Sequence, residues 1–309
     1  MEKQIGIIGL GALGTLYAYH LTKALGKDRV FVLADRDRIA RYESEGVFFN
    51  GEKCDFRYVD LKEAPGGGDD SPYPALLMVC CKYLALPSVI EAMGRWVGPE
   101  TLIISVLNGI ASENDLRAVF PKDHVVACVA RKMSAVKEGN KVVAPVPGEL
   151  VIGPQSEAQI EPAREVAALL EEAGFPCVFT DEITRELWSK LLCNTGCNQV
   201  TMVRRLKYKD IQKPGPARDE MIAAMREVVL VAQAEGVDLT EADVDFWVNV
   251  LDGLDPEGEP SMAQDGKAKR RSEVELFAGT ITRLAKKHGL SVPVNEGWYR
   301  YINELEAGY

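Results

Sequence analysis

The chain has 309 residues with an apolar fraction of 47%, enough to build a full core in two domains. Acidic residues outnumber basic ones 46 to 36, a formal charge of −10, which argues against a nucleic-acid or anionic-membrane partner. No apolar run reaches the roughly 18 residues of a membrane span, and seven cysteines without a C-x-x-C, beside three histidines, argue against zinc and a disulfide framework, so no metal is expected.

The chain enters a strand at residues 4–8 with no basic segment and apolar stretch ahead of it, so a cytoplasmic protein with reduced thiols is expected. Residues 9–14 read as a glycine turn, 15–25 as a helix and 29–33 as a second strand. Buried strands recur at 76–80, 102–105 and 125–129, with helical periods at 86–96 and 112–120. That alternation predicts a doubly wound parallel sheet. Gly66-Gly67-Gly68-Asp69-Asp70 reads as an exposed loop within it. From residue 182 onward long helical periods dominate: 182–203, 217–235, 241–251 and 273–288. Between them, the acidic, Pro- and Gly-rich stretch 252–260 reads as a loop that delivers Ser261. The expected fold class is α/β: an N-terminal Rossmann-like doubly wound sheet, residues 1–181, binding a dinucleotide, and an all-α C-terminal domain, residues 182–309, for substrate and catalysis.

Gly9-Leu10-Gly11-Ala12-Leu13-Gly14 follows a strand and opens a helix, the setting in which G-x-G-x-x-G binds a dinucleotide. The first two glycines allow the turn and the approach of pyrophosphate. Gly14 lets helix pack on strand, and the N–H groups at the start of the helix, around Ala12 and Leu13, serve the phosphates. Asp35 follows the second strand, 21 residues after Gly14. An acidic side chain there accepts from a ribose 2′-OH and favours NAD(H). Arg36, Arg38 and Arg41 pull the other way, because a guanidinium pairs with a 2′-phosphate. The reading stays open between NAD(H) and NADP(H).

Lys190, Asn194 and Asn198 stand four apart in the helical run, within an arc of about 80° and over about 12 Å. An apolar stripe of Ile183, Leu187, Trp188, Leu191 and Leu192 runs beside them. Asparagine and the intervening Gly196 are poor helix formers, each costing roughly 0.5–1 kcal/mol against alanine. A helix that aligns one ammonium and two amides at that cost points to a site; the competing reading is a solvated face. Cys193 and Cys197, one turn apart beside the ladder, read as core. Ser272-x-x-Glu275 has the form of a capping box opening the helix that runs to His288. It puts Glu273 in the first turn, where the dipole favours a carboxylate. The basic run 267–271 reads as a solvated surface, and His20, His124 and His288 as structural.

These residues carry a resemblance over nearly the full length. The glycine motif, Cys81-Lys82 and Asn108-Gly109 after strands, Trp188-x-Lys190-Leu191-Leu192-x-Asn194-x-x-x-Asn198-x-x-Thr201, Ser261-Met262-x-x-Asp265 and Ser272-Glu273-Val274-Glu275 before Gly279 resemble the ketopantoate reductase (2-dehydropantoate 2-reductase) family. The resemblance implies nicotinamide-dependent reduction of a 2-keto acid, ketopantoate to pantoate. It implies Lys190 as general acid, Glu273 as the carboxylate that interacts with it, and Asn194, Asn198 and Ser261 as substrate-binding. It also implies that Lys82 contacts cofactor and that Asn108 lies between cofactor and substrate. Taken alone, Lys82 could be a strand-end lysine, Asn108-Gly109 a turn and Ser261 a helix cap. Asp35 stands where family members often have arginine, and Leu107 where many have glutamine.

The chemistry suits the residues. Ketone reduction builds negative charge on the carbonyl oxygen, and a fixed lysine both stabilises it and supplies the proton. Amides and a hydroxyl suit a carboxylate and hydroxyl on the substrate without adding charge. Two competing readings remain: another 2-keto or 3-hydroxy acid dehydrogenase of the 6-phosphogluconate dehydrogenase-like superfamily, and a dinucleotide-binding regulator without turnover. A homodimer through the long C-terminal helices is left open.

Overall fold

The computed structural model describes residues 3–63 and 73–309; the Gly66 to Asp70 stretch read as a loop lies outside them. The chain divides into two compact units. One comprises Met1–Leu107 and Ser112–Ile183, the other Asn108–Ala111 and Thr184–Tyr309.

The first unit is built on strands β1 (Ile5–Ile8), β2 (Val30–Ala34), β3 (Phe48–Phe49), β4 (Glu52–Lys53), β5 (Arg57–Asp60), β6 (Leu76–Val79), β7 (Leu102–Ser105), β8 (Val125–Arg131), β9 (Val136–Glu138), β10 (Lys141–Val143), β11 (Glu149–Gly153) and β12 (Cys177–Phe179). They form an eight-stranded sheet, ordered β12-β11-β8-β7-β6-β1-β2-β5, and a four-stranded one, β4-β3-β10-β9. From β5 across to β8 the large sheet is parallel throughout, as the strand–helix alternation predicts. β11 then turns antiparallel to β8, and β12 runs parallel to β11. The helices of this unit are α1 (Ala12–Leu25), α2 (Arg36–Glu45), α3 (Leu86–Met93), α4 (Ser112–Arg117) and α5 (Ile160–Glu172).

A parallel sheet is covered on both faces, so its strands read as continuous apolar runs. Ile7, Val32, Met78 and Ile104 pack on one side with Leu16 and Tyr17 of α1 and Val166 and Leu170 of α5. Their neighbours Ile8, Leu33, Val79 and Ile103 pack on the other with Val89 and Met93 of α3 and Leu116 of α4. The strand order reverses at β1, which pairs with β2 on one side and β6 on the other. The carboxyl end of β1 is therefore the switch point where this class of sheet binds ligands.

The second unit holds α6 (Ile183–Arg204), α7 (Tyr208–Ile211), α8 (Pro216–Ala234), α9 (Glu241–Asp252), α10 (Ser261–Lys267), α11 (Ala278–His288) and α12 (Pro293–Glu306). Gly196 has a packing reason that the sequence did not show. A Cβ on it would stand 2.6 Å from Met225 Cγ and 3.0 Å from the Met221 carbonyl, so it lets α6 lie close against α8.

One helix starts later than expected. Residues 274–276 form a single 3₁₀ turn, Phe277 breaks the run at φ −105, ψ −95, and α11 begins only at Ala278. The expected capping box is not made. Ser272 N–H donates to Glu306 at 2.8 Å, Glu275 accepts from the Tyr299 hydroxyl at 2.6 Å, and the first N–H of α11 goes to Gln199 at 3.2 Å. Partners distant in sequence outcompete the local pattern.

Among the described residues, no helix is long and apolar enough to cross a membrane, and no three His, Cys, Asp or Glu are grouped to hold a metal. Among the described residues no two cysteines are joined in a disulfide.

Candidate active site

At the switch point, Gly9 takes φ +97 against the backbone of Cys80 and Cys81. A Cβ on Gly14 would fall 1.8 Å from the Gly9 carbonyl oxygen, so only glycine lets α1 start this close to the turn. Gly11 is exposed, and a Cβ there would meet only the Cys80 carbonyl, at 3.7 Å. No side chain caps α1, whose first turn, including Ala12 and Leu13, holds no acidic residue. Open N–H groups at a helix N-terminus beside an unobstructed glycine fit a pyrophosphate. Lys82 is exposed just beyond β6, at the same end of the sheet.

The residues after β2 are more committed than the sequence suggested. Asp35 is the N-cap of α2 and accepts the Arg38 N–H at 2.9 Å, with Arg38 Nε 3.4 Å from its other oxygen. Arg36 is taken by Asp60 at 2.7 Å and by Glu63 at 3.4 Å. The Lys62 N–H and the Arg36 guanidinium hold the Asp60 carboxyl below its usual range. Asp60, at the end of the edge strand β5, gave no signal in the sequence.

In the helical unit, Lys190 and Asn194 are half-buried, and Asn198 is only 7% exposed. The ladder is not a solvated face. No hydrogen bond among the described residues engages the side-chain amide of Asn194 or Asn198, which leaves both able to meet a ligand. Ser189, beside Lys190, accepts from Trp247 Nε1 at 2.9 Å, tying α9 to α6 at the lysine. Sequence reasoning missed this brace, because nothing local links residues so far apart. Burial pushes the Cys193 thiol up to about 12 and the Cys197 thiol well above its ordinary value, which suits core residues.

Glu273 is buried at 8% exposure and stands as the N-cap residue of the single 3₁₀ turn at 274–276, not on an exposed first turn of α11. Its carboxylate accepts from Asn108 Nδ2 at 2.9 Å. The structure thus brings together two predicted site residues 165 positions apart in sequence. Asn108 is half-buried, and Gly109 at φ +84 lies against Leu276. Ser261 is exposed at the first position of α10; Pro260 is the N-cap, so Ser261 does not cap this helix. Asp265, one turn on, is buried and paired with Arg270 at 2.9 Å.

Residues 5–157 match the family model described as ketopantoate reductase PanE/ApbA, and residues 182–306 match its C-terminal counterpart. A 2-dehydropantoate 2-reductase of Yersinia pestis is 26% identical over 234 residues, covering 76% of this chain and 75% of that protein. A crystal structure of a PanE/ApbA family ketopantoate reductase from Ralstonia eutropha JMP134 is similar at TM-score 0.82 and 25% identity, over 99% of both chains. D-mandelate dehydrogenase, solved with NADH and anilino(oxo)acetate, shares the fold at TM-score 0.85 and 21% identity, again over 99% of each chain. The chain belongs to the ketopantoate reductase family.

Proposed function

We propose that this member of the ketopantoate reductase family reduces ketopantoate to pantoate, as a 2-dehydropantoate 2-reductase. The observation that carries the reading is the largely sheltered ladder of half-buried Lys190 and Asn194 and buried Asn198, in a unit that also holds Glu273 against Asn108. A nicotinamide dinucleotide, held at the glycine turn, supplies the hydride. Lys190 stabilises the negative charge that develops on the ketone oxygen and donates the proton. Glu273, held by Asn108, orients Lys190 and keeps it charged. Asn194, Asn198 and Ser261 bind the carboxylate and hydroxyl of the substrate without adding a charge of their own.

A second reading within the same chemistry is a different 2-keto acid. Leu107 stands directly before Asn108 where many family members carry glutamine, and D-mandelate dehydrogenase serves another substrate on the same fold. The test is oxidation of NADH and NADPH with ketopantoate and with aryl 2-keto acids, wild type beside Lys190→Ala. Turnover of ketopantoate that collapses in the variant supports the reductase. Preference for an aryl substrate supports the second reading. Cofactor binding with no turnover of any 2-keto acid would identify a regulator and sink both.

A further inference from the structure

Within the helical unit, a cavity of about 270 Å³ opens where α6 and α10 end. That is just below the ~300–1,000 Å³ of sites for drug-sized ligands, so a small molecule is the fitting occupant. Three cations border it: Arg205, Lys267 and Lys269. Met202, Ala263 and Leu305 give it an apolar wall. None of Lys190, Asn194, Asn198, Ser261 and Glu273 lines it, so it is not the candidate active site.

Two of the cations are held at a conformational cost. Arg205 directly follows α6 with φ +55, and Lys269 stands two residues beyond α10 with φ +50. A left-handed residue often closes a helix, and glycine takes that place without strain, whereas a long side chain does not. Among the described residues only four other than glycine adopt this conformation, and two of them meet at this one cavity. Their charges are also unanswered. Lys267 is paired with Glu259 and Arg270 with Asp265, but neither Arg205 nor Lys269 has a carboxylate within ion-pair distance among the described residues. Helix C-termini are electronegative and favour cations. Arg204 and Lys267, in the last turns of α6 and α10, already meet that demand. Strain concentrated at a cavity, on two unpaired cations, points to a ligand.

We propose that this cavity binds a small amphipathic anion. Arg205 and Lys269 hold its carboxylate or phosphate head, and its hydrocarbon body lies against Met202, Ala263 and Leu305. A guanidinium and an ammonium suit such a head through charge-assisted hydrogen bonds. The apolar wall adds affinity by removing the hydrocarbon from water. The competing role for both cations is to serve the helix ends alone.

Calorimetric titration of the full chain with hexyl phosphate, hexanoate, hexanol and inorganic phosphate tests the proposal. At least one of hexyl phosphate and hexanoate should bind about tenfold or more tightly than hexanol, which lacks the head, and than inorganic phosphate, which lacks the body. The tighter of the two identifies the head. Lys269→Gly and Arg205→Gly should each weaken that binding by about tenfold or more and leave the melting temperature unchanged or higher, because glycine relieves the left-handed backbone. Lys269→Arg should retain the binding, and Lys190→Ala should bind as wild type does. Glycine variants that melt lower and bind the anion as wild type does would show that the two cations serve the helix ends alone, and would overturn the proposal. Hexanol or inorganic phosphate binding as tightly as the amphipathic anions would overturn it, as would no saturable binding of either anion. A loss in Lys190→Ala as large as in Lys269→Gly would place the anion in the candidate active site and overturn it as well.

Discussion

Asn108 and Glu273 show what a single contact adds. A carboxylate this buried needs a donor, because a buried ionised group without one costs several kcal/mol. The Asn108 amide supplies it at 2.9 Å without adding charge, an arrangement compatible with the role proposed for Glu273 toward Lys190. Glu273→Gln keeps the shape and a hydrogen-bonding group but removes the charge. We expect kcat/KM for the keto acid to fall by about tenfold or more, with the KM for cofactor within about twofold. Steady-state kinetics of the two proteins decide it. A loss of less than about threefold would leave Glu273 as a structural partner of Asn108. At this scale the sequence was readable where chemistry restricts the residue type. Lys190, Asn194, Asn198 and Glu273 stood out because an aligned ammonium and amides, or a carboxylate within a recognisable motif, are costly choices. The bond between Asn108 and Glu273 did not stand out, since no local period connects residues so far apart.

Elements were legible in proportion to the length of their pattern. The continuous apolar runs of β1, β2, β6 and β7 and the long amphipathic periods of α8 and α9 define themselves. The two-residue strands β3 and β4 do not, and neither does the antiparallel turn of β11 against β8, since each depends on partners rather than on periodicity. The start of α11 was misread for the same reason. Ser272-x-x-Glu275 satisfies a local rule, but Glu306, Tyr299 and Gln199 take the groups that the rule would have paired. Gly196 is the reverse case, a local weakness with a tertiary reason. On propensity alone, Gly196→Ala in α6 should stabilise by roughly 1 kcal/mol. Packing predicts the opposite, because the new methyl would meet Met225 Cγ at 2.6 Å and the Met221 carbonyl at 3.0 Å. We expect a net destabilisation of up to about 2 kcal/mol, the roughly 1–3 kcal/mol cost of overpacking less the propensity gain of roughly 1 kcal/mol. Urea denaturation measures it, and a more stable variant would show that α6 and α8 are not in close contact at that point.

For the molecule as a whole, charge balance sets how stability follows pH, and one residue runs against the rest. Glu52, Glu149, Glu235, Glu241, Asp252 and Glu257 are all held below the usual carboxylate range, mainly by hydrogen bonds to cations, so their contributions are present at neutral pH and fade in acid. Glu113, at the start of α4, is pushed the other way, up to about 7, chiefly by burial. It accepts from the Ser112 hydroxyl at 3.1 Å, which in turn accepts from Ser105 at 2.8 Å, while its other oxygen is buried with no partner. Arg117 on the same helix favours its charged form and Asp115 opposes it, neither strongly enough to offset desolvation. The folded state therefore holds this proton more tightly than the unfolded chain does. Its stabilisation is fully present below about pH 4.5, the ordinary value, and is lost as pH rises to about 7. A shift of that size corresponds to roughly 3 kcal/mol. Glu113→Gln mimics the protonated form at every pH and removes this dependence. Other groups, such as His20, whose pKa burial lowers, are common to both proteins and cancel in the comparison. Denaturation at about pH 5 and pH 8 should thus show the wild type losing roughly 2.5 kcal/mol more than the variant on going to the higher pH, since part of the loss is complete by pH 5, with the variant the more stable protein at pH 8. Parallel pH dependences would mean that Glu113 is already ionised in the folded protein, and that water or rearrangement serves its unpartnered oxygen.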